Sequence, residues 1–452
     1  MNTIKRTLFT ITIITILFGT LPTVSWASQT EPLISAESCI LIDMKTGTVL
    51  FEKNADTSLE PASITKVITG LLTIENLDLE DAVTIDTPPN ANGNGMNLAV
   101  GEVLTVKELL YGMMVHSSND AAVVLSEQLA ASRQKFNQMA TDRASRAGAT
   151  HTVVTTPNGL NDVKGNVTTA RDLALICTEA MKNPIFRKVV ATVKTTIPAN
   201  QISPKRVFWN SNLLLYDTKT KLIVNGVERT PKYEGAIGIK TGETSTAGCC
   251  VVAAAQRNGT ELLAVVLNAP DKMSRFADAI ALLDYGYNNY YTYEALKAGV
   301  QVDKVPIAGS SKVKVSAVVP DGYFITLPKE ASVSLVTQKI TLKSHLTAPM
   351  KKGTSVGTAA FYLAGDKIGE VQIYTSEAVK KGGPWTAWGI PDFWAYALMT
   401  LSVLVLFILF VATRIRRKKK KVLAKRKRME EARIAREQKV RVENKQKRDW
   451  PY

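Results

Sequence analysis

An uncharged run of 21 residues, from Phe393 to Thr413, constrains the fold of this 452-residue chain more than any other feature. As a helix rising about 1.5 Å per residue it would span about 31 Å, the thickness of a bilayer core. Four aromatic residues cluster at its start, where amphipathic rings prefer the membrane interface: Trp385, Trp388, Trp394 and Tyr396. We therefore predict a transmembrane helix over residues 392–413, preceded by a Gly/Pro-rich linker over 380–391.

Positive charge is concentrated behind this helix. The chain carries a formal charge of +16, and residues 414–452 hold 18 Lys and Arg against 5 Asp and Glu. A flank rich in Lys and Arg marks the cytoplasmic side of a span, so we predict a cytoplasmic tail and an extracytoplasmic body. The glutamates interleaved in the tail favour a solvated helix over a surface for lipid, a partner or RNA. We expect no nucleic-acid partner.

The N-terminus has the pattern of a secretory signal. Residues 1–27 begin with Lys5 and Arg6, continue with an apolar run over 8–21 and end in Ser25-Trp26-Ala27. A basic start, a short apolar middle and small residues before the cut predict cleavage after Ala27. Together with the C-terminal span, this predicts a single-pass protein of the cell membrane.

Four cysteines lie in the exported part: Cys39, Cys177, Cys249 and Cys250. No pair has a metal-type spacing, and the three histidines are scattered. A body of this size does not need disulfides to fold, so we expect mostly buried free thiols. We expect neither a metal nor a cofactor.

The order of strand and helix patterns predicts an α+β fold. Residues 38–53 form a hairpin pattern. Helical patterns run over 64–76, 106–115 and 120–131, and the segment from Thr169 to Asp172 opens another helix. Strands return at 235–241, 248–256 and 261–268 before a helix over 273–287. Strands at both ends with helices between them imply an antiparallel sheet packed by helices. From about Asp303 alternating apolar residues and Pro/Gly/Lys turns indicate a small all-β domain. We place the catalytic domain at 28–295 and the β-rich domain at 296–379.

Three short motifs carry the chemistry: Ser63-Ile64-Thr65-Lys66, Ser117-Ser118-Asn119 and Lys240-Thr241-Gly242. A serine hydroxyl becomes a nucleophile when a neighbouring base removes its proton, and Lys66 lies three residues after Ser63, on the same face of a helix. To act as the base, Lys66 must be neutral, which requires burial or a second cation nearby. Lys240 could be that cation, at the end of a strand.

Each motif alone is weak, because the chain contains other copies. Ser132 and Lys135, and Ser311 and Lys314, repeat the first spacing, and Lys45-Thr46-Gly47 repeats the third. Context separates them, since the first copy lies in a polar helix, the second in a strand pattern and the third in a hairpin turn. By itself, Ser63 could equally be a helix cap beside a solvated Lys66.

On these motifs the chain resembles the D-alanyl-D-alanine carboxypeptidases, low-molecular-mass penicillin-binding proteins related to class A β-lactamases. The likeness extends, in family order, over roughly residues 33–375. It includes these further segments: Pro61-Ala62, His116, Asp120-Ala121, Pro157-Asn158-Gly159-Leu160, Glu243-Thr244 and Leu282-Leu283-Asp284-Tyr285-Gly286. The resemblance implies a transpeptidase-like catalytic domain followed by a β-rich domain.

The resemblance also implies residue roles. Ser63 would attack the carbonyl of the penultimate D-Ala of a peptidoglycan stem peptide, with Lys66 as base. Ser117 would relay a proton and Asn119 would bond the substrate amide. The remaining expected residues bind substrate. The N–H of Glu243 would join that of Ser63 in an oxyanion hole. Lys240 and Thr241 would face the terminal carboxylate, Arg275 is a candidate second contact to it, and Gly242 is expected to be a further substrate-binding residue.

The resemblance further implies β-lactam inhibitors as partners. Glu243 departs from the family pattern, where His or Tyr often follows Lys-Thr-Gly, and an acid there could repel a carboxylate or shift the pH optimum. Arg275 could instead be a helix-surface arginine.

Three rival functions remain open. A class A β-lactamase shares the motifs but needs a Glu in the loop after the second one, and between His151 and Asp172 the only acid before the helix is Asp162. An endopeptidase acting on cross-linked D-Ala bonds is not distinguished by the sequence. An inactive scaffold is disfavoured by the intact motifs.

Overall fold

The computed structural model of the protein describes residues 31–89, 91–160, 165–312, 314–388, 390 and 392–446. The predicted signal peptide and Asp162 therefore lie outside the described residues. The chain divides into two compact units, Met1–Ala295 with Phe324–Leu335, and Leu296–Tyr323 with Val336–Tyr452.

The strands up to the end of the first unit's main segment are, in chain order, β1 (Ser38–Asp43), β2 (Val49–Lys53), β3 (Ala82–Thr84), β4 (Val103–Thr105), β5 (Lys194–Ile197), β6 (Arg206–Trp209), β7 (Leu222–Val224), β8 (Val227–Arg229), β9 (Ala236–Thr244), β10 (Gly248–Arg257), β11 (Thr260–Ala269) and β12 (Tyr290–Leu296). Its helices are α1 (Lys66–Asn76), α2 (Val106–Val115), α3 (Asn119–Leu129), α4 (Arg133–Arg146), α5 (Ala170–Met181), α6 (Pro184–Val190) and α7 (Lys272–Asn289). The 3₁₀ turns are Ala62–Thr65 and Leu213–Leu215.

The centre of this unit is a five-stranded antiparallel sheet with the order β2-β1-β11-β10-β9. Successive residues of its strands enter two different cores: Ile40 and Ile42 pack on the side of the helical layer, Cys39 and Leu41 on the side of α7. Because both faces are covered, the inner strands β1, β11 and β10 are apolar along most of their length rather than alternating with polar residues. The α+β prediction is confirmed.

Polar caps fix where the helices begin. Thr105 and Glu108 form a capping box at α2, the Thr169 side chain accepts from the Asp172 N–H at α5, and Asp271 accepts two N–H groups at α7. Each cap satisfies backbone donors that a helix leaves free at its first turn. These caps explain why the predicted helix starts agree with the structure to within a residue or two.

One predicted strand boundary is wrong. Lys240 was expected to end a strand, whereas β9 continues through it to Thr244 in register with β10, Lys240 opposite Val252 and Thr241 opposite Val251. Glycine lowers strand propensity, but Gly242 is paired with Cys250 on the inner neighbour β10, and this pairing outweighs the local preference. The Lys-Thr-Gly segment is therefore a rigid sheet edge.

The second unit is built on an antiparallel sheet with the order β13-β14-β18-β17-β16, where β13 is Gln301–Val305, β14 Val315–Val318, β16 Val336–Leu342, β17 Ser355–Leu363 and β18 Asp366–Thr375. Strand β15 (Tyr323–Pro328), which belongs to the first unit from Phe324 onwards, pairs with β12, and a 3₁₀ turn of the same unit follows at Val333–Leu335. The β-rich region predicted from residue 303 is thus confirmed.

The last described element is a 55-residue helix, α8 (Asp392–Gln446), preceded by a 3₁₀ turn at Pro384–Trp388. Its most apolar 18 residues have a mean hydropathy of 2.6, so the helix is long and apolar enough to cross a membrane. The helix continues without a break into the basic tail, as the interleaved glutamates had predicted.

Candidate active site

Ser63 lies in the 3₁₀ turn Ala62–Thr65, and Lys66 is the first residue of α1, which follows without a break. The serine is half-buried and the lysine has no exposed surface. Ala62, just before the serine, has a φ of 48°, in the left-handed region that costs a residue with a Cβ about 1–2 kcal/mol. The turn therefore holds Ser63 in a fixed, locally strained position above the start of the helix.

Three oxygen atoms surround the Lys66 amine. Its Nζ lies 2.7 Å from Ser63 Oγ, 2.6 Å from Asn119 Oδ1 and 2.9 Å from the carbonyl oxygen of Asn158. A neutral amine has two N–H bonds and one lone pair. Since the two carbonyl oxygens can only accept, they take both hydrogens and leave the lone pair for the Ser63 hydroxyl. This is the geometry of a base poised to remove the serine proton.

The electrostatic environment favours the neutral form of this lysine. Burial lowers the pKa of Lys66 well below its usual value, the nearby Lys240 ammonium lowers it further, and Asp120 opposes the shift. Lys240 is itself buried, 1% exposed, and burial with the adjacent Arg275 lowers its pKa to about 7. The structure thus places Lys240 where it can act as the second cation that the sequence suggested beside Lys66.

Asn119, the first residue of α3, is oriented from two sides. Its Nδ2 donates to the carbonyl oxygen of Asn92 at 2.7 Å and its backbone N–H donates to that of Asn94 at 2.7 Å. The amide oxygen is therefore the atom that faces Lys66. Ser117 has a φ of 66°, and its half-buried hydroxyl makes no hydrogen bond to any described residue, which leaves it available to a substrate.

The backbone of β9 passes very close to the nucleophile. A Cβ on Gly242 would lie 2.7 Å from the Pro61 carbonyl oxygen and 3.2 Å from the Ser63 nitrogen, so only glycine fits. Gly159 has the same constraint on the other side, since a Cβ there would lie 1.8 Å from the Ala62 carbonyl oxygen. The edge strand and the loop thus hold the turn of Ser63 between them.

The side chains of β9 extend the site. Lys240 Nζ donates to the Thr241 carbonyl oxygen at 2.9 Å, and Thr241 Oγ1 donates to Ser211 Oγ at 2.7 Å. Arg275, from α7, donates to the Gly242 carbonyl oxygen at 3.1 Å. These contacts bring Lys240, Thr241, Gly242 and Arg275 together at one edge of the sheet.

The sequence left open that Arg275 is a helix-surface arginine, but its side chain is buried, with only 7% of the residue exposed. Burial lowers its pKa, and its Nε has no partner among the described residues. The Glu243 carboxylate lies 3.9 Å from Arg275 and 3.4 Å from Lys272. An acid therefore lies beside the cation that was expected to receive a substrate carboxylate.

Sequence reasoning missed Asn166. Its Oδ1 accepts from the N–H groups of Thr155 and Thr156 at 2.7 and 2.9 Å, and its Nδ2 donates to Thr65 Oγ1 at 2.8 Å. Thr69 adds a second link, donating to the Pro157 carbonyl oxygen at 2.7 Å. These bonds tie the loop that carries the Asn158 carbonyl to the turn of Ser63. The family-like Pro157–Leu160 segment was the signal for this loop, but it did not reveal the asparagine.

The duplicate motifs lie elsewhere. Ser132 caps α4 by accepting from the Lys135 N–H, and Lys45 lies exposed in the turn between β1 and β2. Of the repeated patterns, only Ser63 and Lys66 meet the second and third motifs. The four cysteines are buried and free, as predicted.

Comparison with known proteins agrees with this geometry. Residues 25–271 match the family model described as D-alanyl-D-alanine carboxypeptidase, and residues 290–381 match the one described as the C-terminal domain of penicillin-binding protein 5. The carboxypeptidase DacC of Escherichia coli is 31% identical over 386 residues, covering 81% of this chain and 90% of DacC. DacF of Bacillus subtilis is 29% identical, covering 77% of this chain and 87% of its own.

Solved structures show the same likeness. Penicillin-binding protein 5 of Haemophilus influenzae superposes with a TM-score of 0.67 at 28% identity, over 78% of this chain and 100% of that one. The relatives' alignments leave about a fifth of this chain unmatched.

Proposed function

The chain belongs to the D-alanyl-D-alanine carboxypeptidase family, and we propose that Ser63 is the nucleophile with which it removes the terminal D-Ala of peptidoglycan pentapeptides. The observation that carries this assignment is the 2.7 Å contact between Ser63 Oγ and the amine of a lysine without exposed surface. A buried neutral lysine is a base strong enough to take the serine proton near pH 7.

Acylation then proceeds in steps that the geometry supports. Lys66 takes the hydroxyl proton as Ser63 Oγ attacks the carbonyl carbon of the penultimate D-Ala. The backbone N–H groups of Ser63 and Glu243 stabilise the oxyanion. When the tetrahedral intermediate collapses, the C–N bond breaks, and Ser117 relays the proton from Lys66 to the departing amine of the terminal D-Ala. Water then hydrolyses the ester on Ser63.

The other motif residues hold the substrate. Lys240, Thr241 and Arg275 lie at one sheet edge and supply the positive charge and hydroxyl that a terminal carboxylate requires. Gly242 allows the substrate backbone to approach Ser63, and Asn119 bonds the substrate amide while it orients Lys66. β-Lactams, whose amide and carboxylate match these groups, would acylate the same serine.

The regions around the catalytic unit complete the proposal. Residues 1–27 direct export, the apolar part of α8 over 392–413 anchors the protein in the cytoplasmic membrane, and residues 414–452 form a cytoplasmic tail. The support is the apolar length of α8 and the Lys/Arg-rich flank behind it.

Labelling with a fluorescent penicillin tests the nucleophile directly. The full-length protein in detergent should become covalently labelled, and Ser63→Ala should abolish the label. Ser132→Ala is the matched control, since it removes the serine of the other helical Ser-x-x-Lys pattern and should leave labelling unchanged. Label retained in Ser63→Ala would refute the assignment.

A further inference from the structure

A cavity of about 520 Å³ lies in the second unit, at the start of α8. Its wall contains Phe393, the second residue of that helix, and three lysines: Lys304, Lys312 and Lys314. Ser311 lies among them, so the Ser-x-x-Lys copy that it forms with Lys314 has its place here and not at the nucleophile. The cavity is large enough for the polar headgroup of a phospholipid.

Hydrogen bonds connect the loop before Lys312 to the start of α8. The Gly382 N–H donates to the carbonyl oxygen of Gly309, in that loop, at 2.8 Å. The next residue, Gly383, donates its N–H to the carboxylate of Asp392, which begins α8, at 2.8 Å. The loop is therefore fixed beside the first turn of the helix.

Phe393 also indicates the depth of the cavity in a membrane. The uncharged run over 393–413 matches a hydrocarbon core of about 30 Å without residues to spare, so Phe393 lies at the boundary of that core. Lipid headgroups occupy about the next 5–8 Å. The cavity therefore lies at the depth of the headgroups, in the leaflet opposite the basic tail. This step rests on the membrane anchoring proposed for α8.

Positive charge is in excess around the cavity. Lys312 pairs with Glu377, the one acid of the lining, at 2.7 Å. The amines of Lys304 and Lys314 are exposed and make no hydrogen bond or ion pair with any residue that the structure describes. Two ammonium groups at headgroup depth thus lack an anion, and the phosphate of a lipid is the anion that this layer of a membrane supplies.

We propose that Lys304, Lys312 and Lys314 bind the phosphate of an acidic phospholipid in the outer leaflet of the membrane that α8 crosses. The phosphate oxygens accept from the two free ammonium groups and from the Ser311 hydroxyl, which makes no hydrogen bond to any described residue. The acyl chains pass the exposed ring of Phe393 into the hydrocarbon core. The bound lipid would hold the β-rich domain at the membrane surface.

The first test counts the lipids that the full-length protein retains in a neutral detergent, by native mass spectrometry with phosphatidylglycerol as the probe and phosphatidylcholine as the uncharged reference. The wild type should retain one more phosphatidylglycerol than the variant that combines Lys304→Gln, Lys312→Gln and Lys314→Gln. Phosphatidylcholine retention should be the same in both. The basic tail is unchanged in this variant, so its own affinity for acidic lipid does not contribute to the difference.

The matched control removes the same number of charges elsewhere in the second unit. It combines Lys339→Gln and Lys343→Gln, at the opposite edge of the sheet from β13, with Lys367→Gln, which pairs with Glu370 as Lys312 does with Glu377. This control should retain as much phosphatidylglycerol as the wild type. Labelling of all three proteins by fluorescent penicillin shows that the catalytic unit is folded.

A second readout is specific to individual lysines. In nanodiscs of phosphatidylcholine with phosphatidylglycerol, acetic anhydride should acetylate Lys304 and Lys314 about three- to tenfold more slowly than in phosphatidylcholine alone, because a phosphate beside an ammonium stabilises the unreactive charged form. Lys339 should react at the same rate in both. Lys312→Gln should reduce the protection of Lys314.

The outcomes separate the lipid site from the anchor. Equal phosphatidylglycerol retention by the wild type and the cavity variant, or acetylation rates that do not depend on the lipid, would overturn the inference while leaving the anchor intact. Protection by millimolar inorganic phosphate that equals the protection by lipid would also overturn it, since the site would then take a soluble anion. A full-length protein that does not enter phosphatidylcholine nanodiscs would refute the anchor and the inference together.

Discussion

Replacing Lys240 by methionine should stabilise the protein while it removes activity. The lysine is 1% exposed, and among the described residues its one hydrogen bond is the 2.9 Å donation to the Thr241 carbonyl oxygen. The Lys240 ammonium lowers the pKa of the nearby Lys66, and the Arg275 guanidinium lowers the pKa of Lys240 itself. A buried ammonium among other cations is maintained for function at the expense of stability.

The magnitude follows from the pKa shift. Burial and Arg275 lower the pKa of Lys240 from 10.5 to about 7, and each pKa unit corresponds to about 1.4 kcal/mol. Near pH 7 the lysine therefore destabilises the fold by about 4 kcal/mol relative to a neutral group. Methionine loses one hydrogen bond, worth about 1 kcal/mol, so we expect a net gain of about 2–3 kcal/mol. For a domain of this size that is a rise in Tm of roughly 4–10 °C.

The sign of the pH dependence is fixed by the same shift. Between about pH 7 and 10.5 the unfolded chain protonates this lysine while the folded chain does not, so wild-type stability rises with pH in that window. The advantage of Lys240→Met should therefore be largest at pH 7 and below, and should shrink towards pH 10.

Thermal unfolding of the full-length protein in detergent at pH 6, 7 and 9 measures this effect. Lys45→Met is the matched control, since Lys45 heads the other Lys-Thr-Gly and is exposed, and its loss should change Tm little. A Lys240→Met protein that is less stable than the wild type at pH 7, or an advantage that grows with pH, would refute the reasoning.

Three further predictions concern catalysis. Gly242→Ala should slow acylation by fluorescent penicillin by about tenfold or more, because its Cβ would lie 2.7 Å from the Pro61 carbonyl oxygen, while circular dichroism should show that the fold is retained. An unchanged acylation rate would show that β9 can move to accommodate the Cβ. Glu243→Gln should raise kcat/KM for the pentapeptide about three- to tenfold by freeing Arg275 for the substrate carboxylate, and a decrease would mean that Glu243 assists binding. In the pH profile, kcat/KM should fall as pH rises through about 7, where Lys240 loses its proton, and Lys240→Arg should move this fall to higher pH. Identical profiles for the wild type and Lys240→Arg would exclude Lys240 as the group whose titration causes the fall.

Local patterns were sufficient to predict much of the fold. The hairpin of β1 and β2 follows from two apolar runs around a turn, and α2, α5 and α7 follow from apolar periodicity with caps such as Thr169. The sequence analysis wrongly placed Lys240 at a strand end, because glycine disfavours strands, whereas pairing with β10 continues β9 as far as Thr244. Pairing partners distant in sequence decide where such a strand stops.

The catalytic residues could be predicted because short spacing and family likeness mark them. Asn166 could not, because its bonds to Thr65 and Thr155 join segments up to 101 residues apart and leave no local pattern. The same holds for the buried Glu102, which accepts from Arg206 at 2.6 Å and has its pKa lowered to about 2: burial opposes that shift, and the bonds from Arg206 and Asn200 outweigh it. Contacts of this kind appear only once the chain is folded.

The most direct test of the account is release of D-alanine from a pentapeptide ending in D-Ala-D-Ala by the full-length protein in detergent, with Ser63→Ala measured alongside. The account predicts steady release by the wild type and none above background by Ser63→Ala, whose fold is verified by circular dichroism. Release that persists in Ser63→Ala, or a wild type that is labelled by penicillin yet releases no D-alanine, would contradict it.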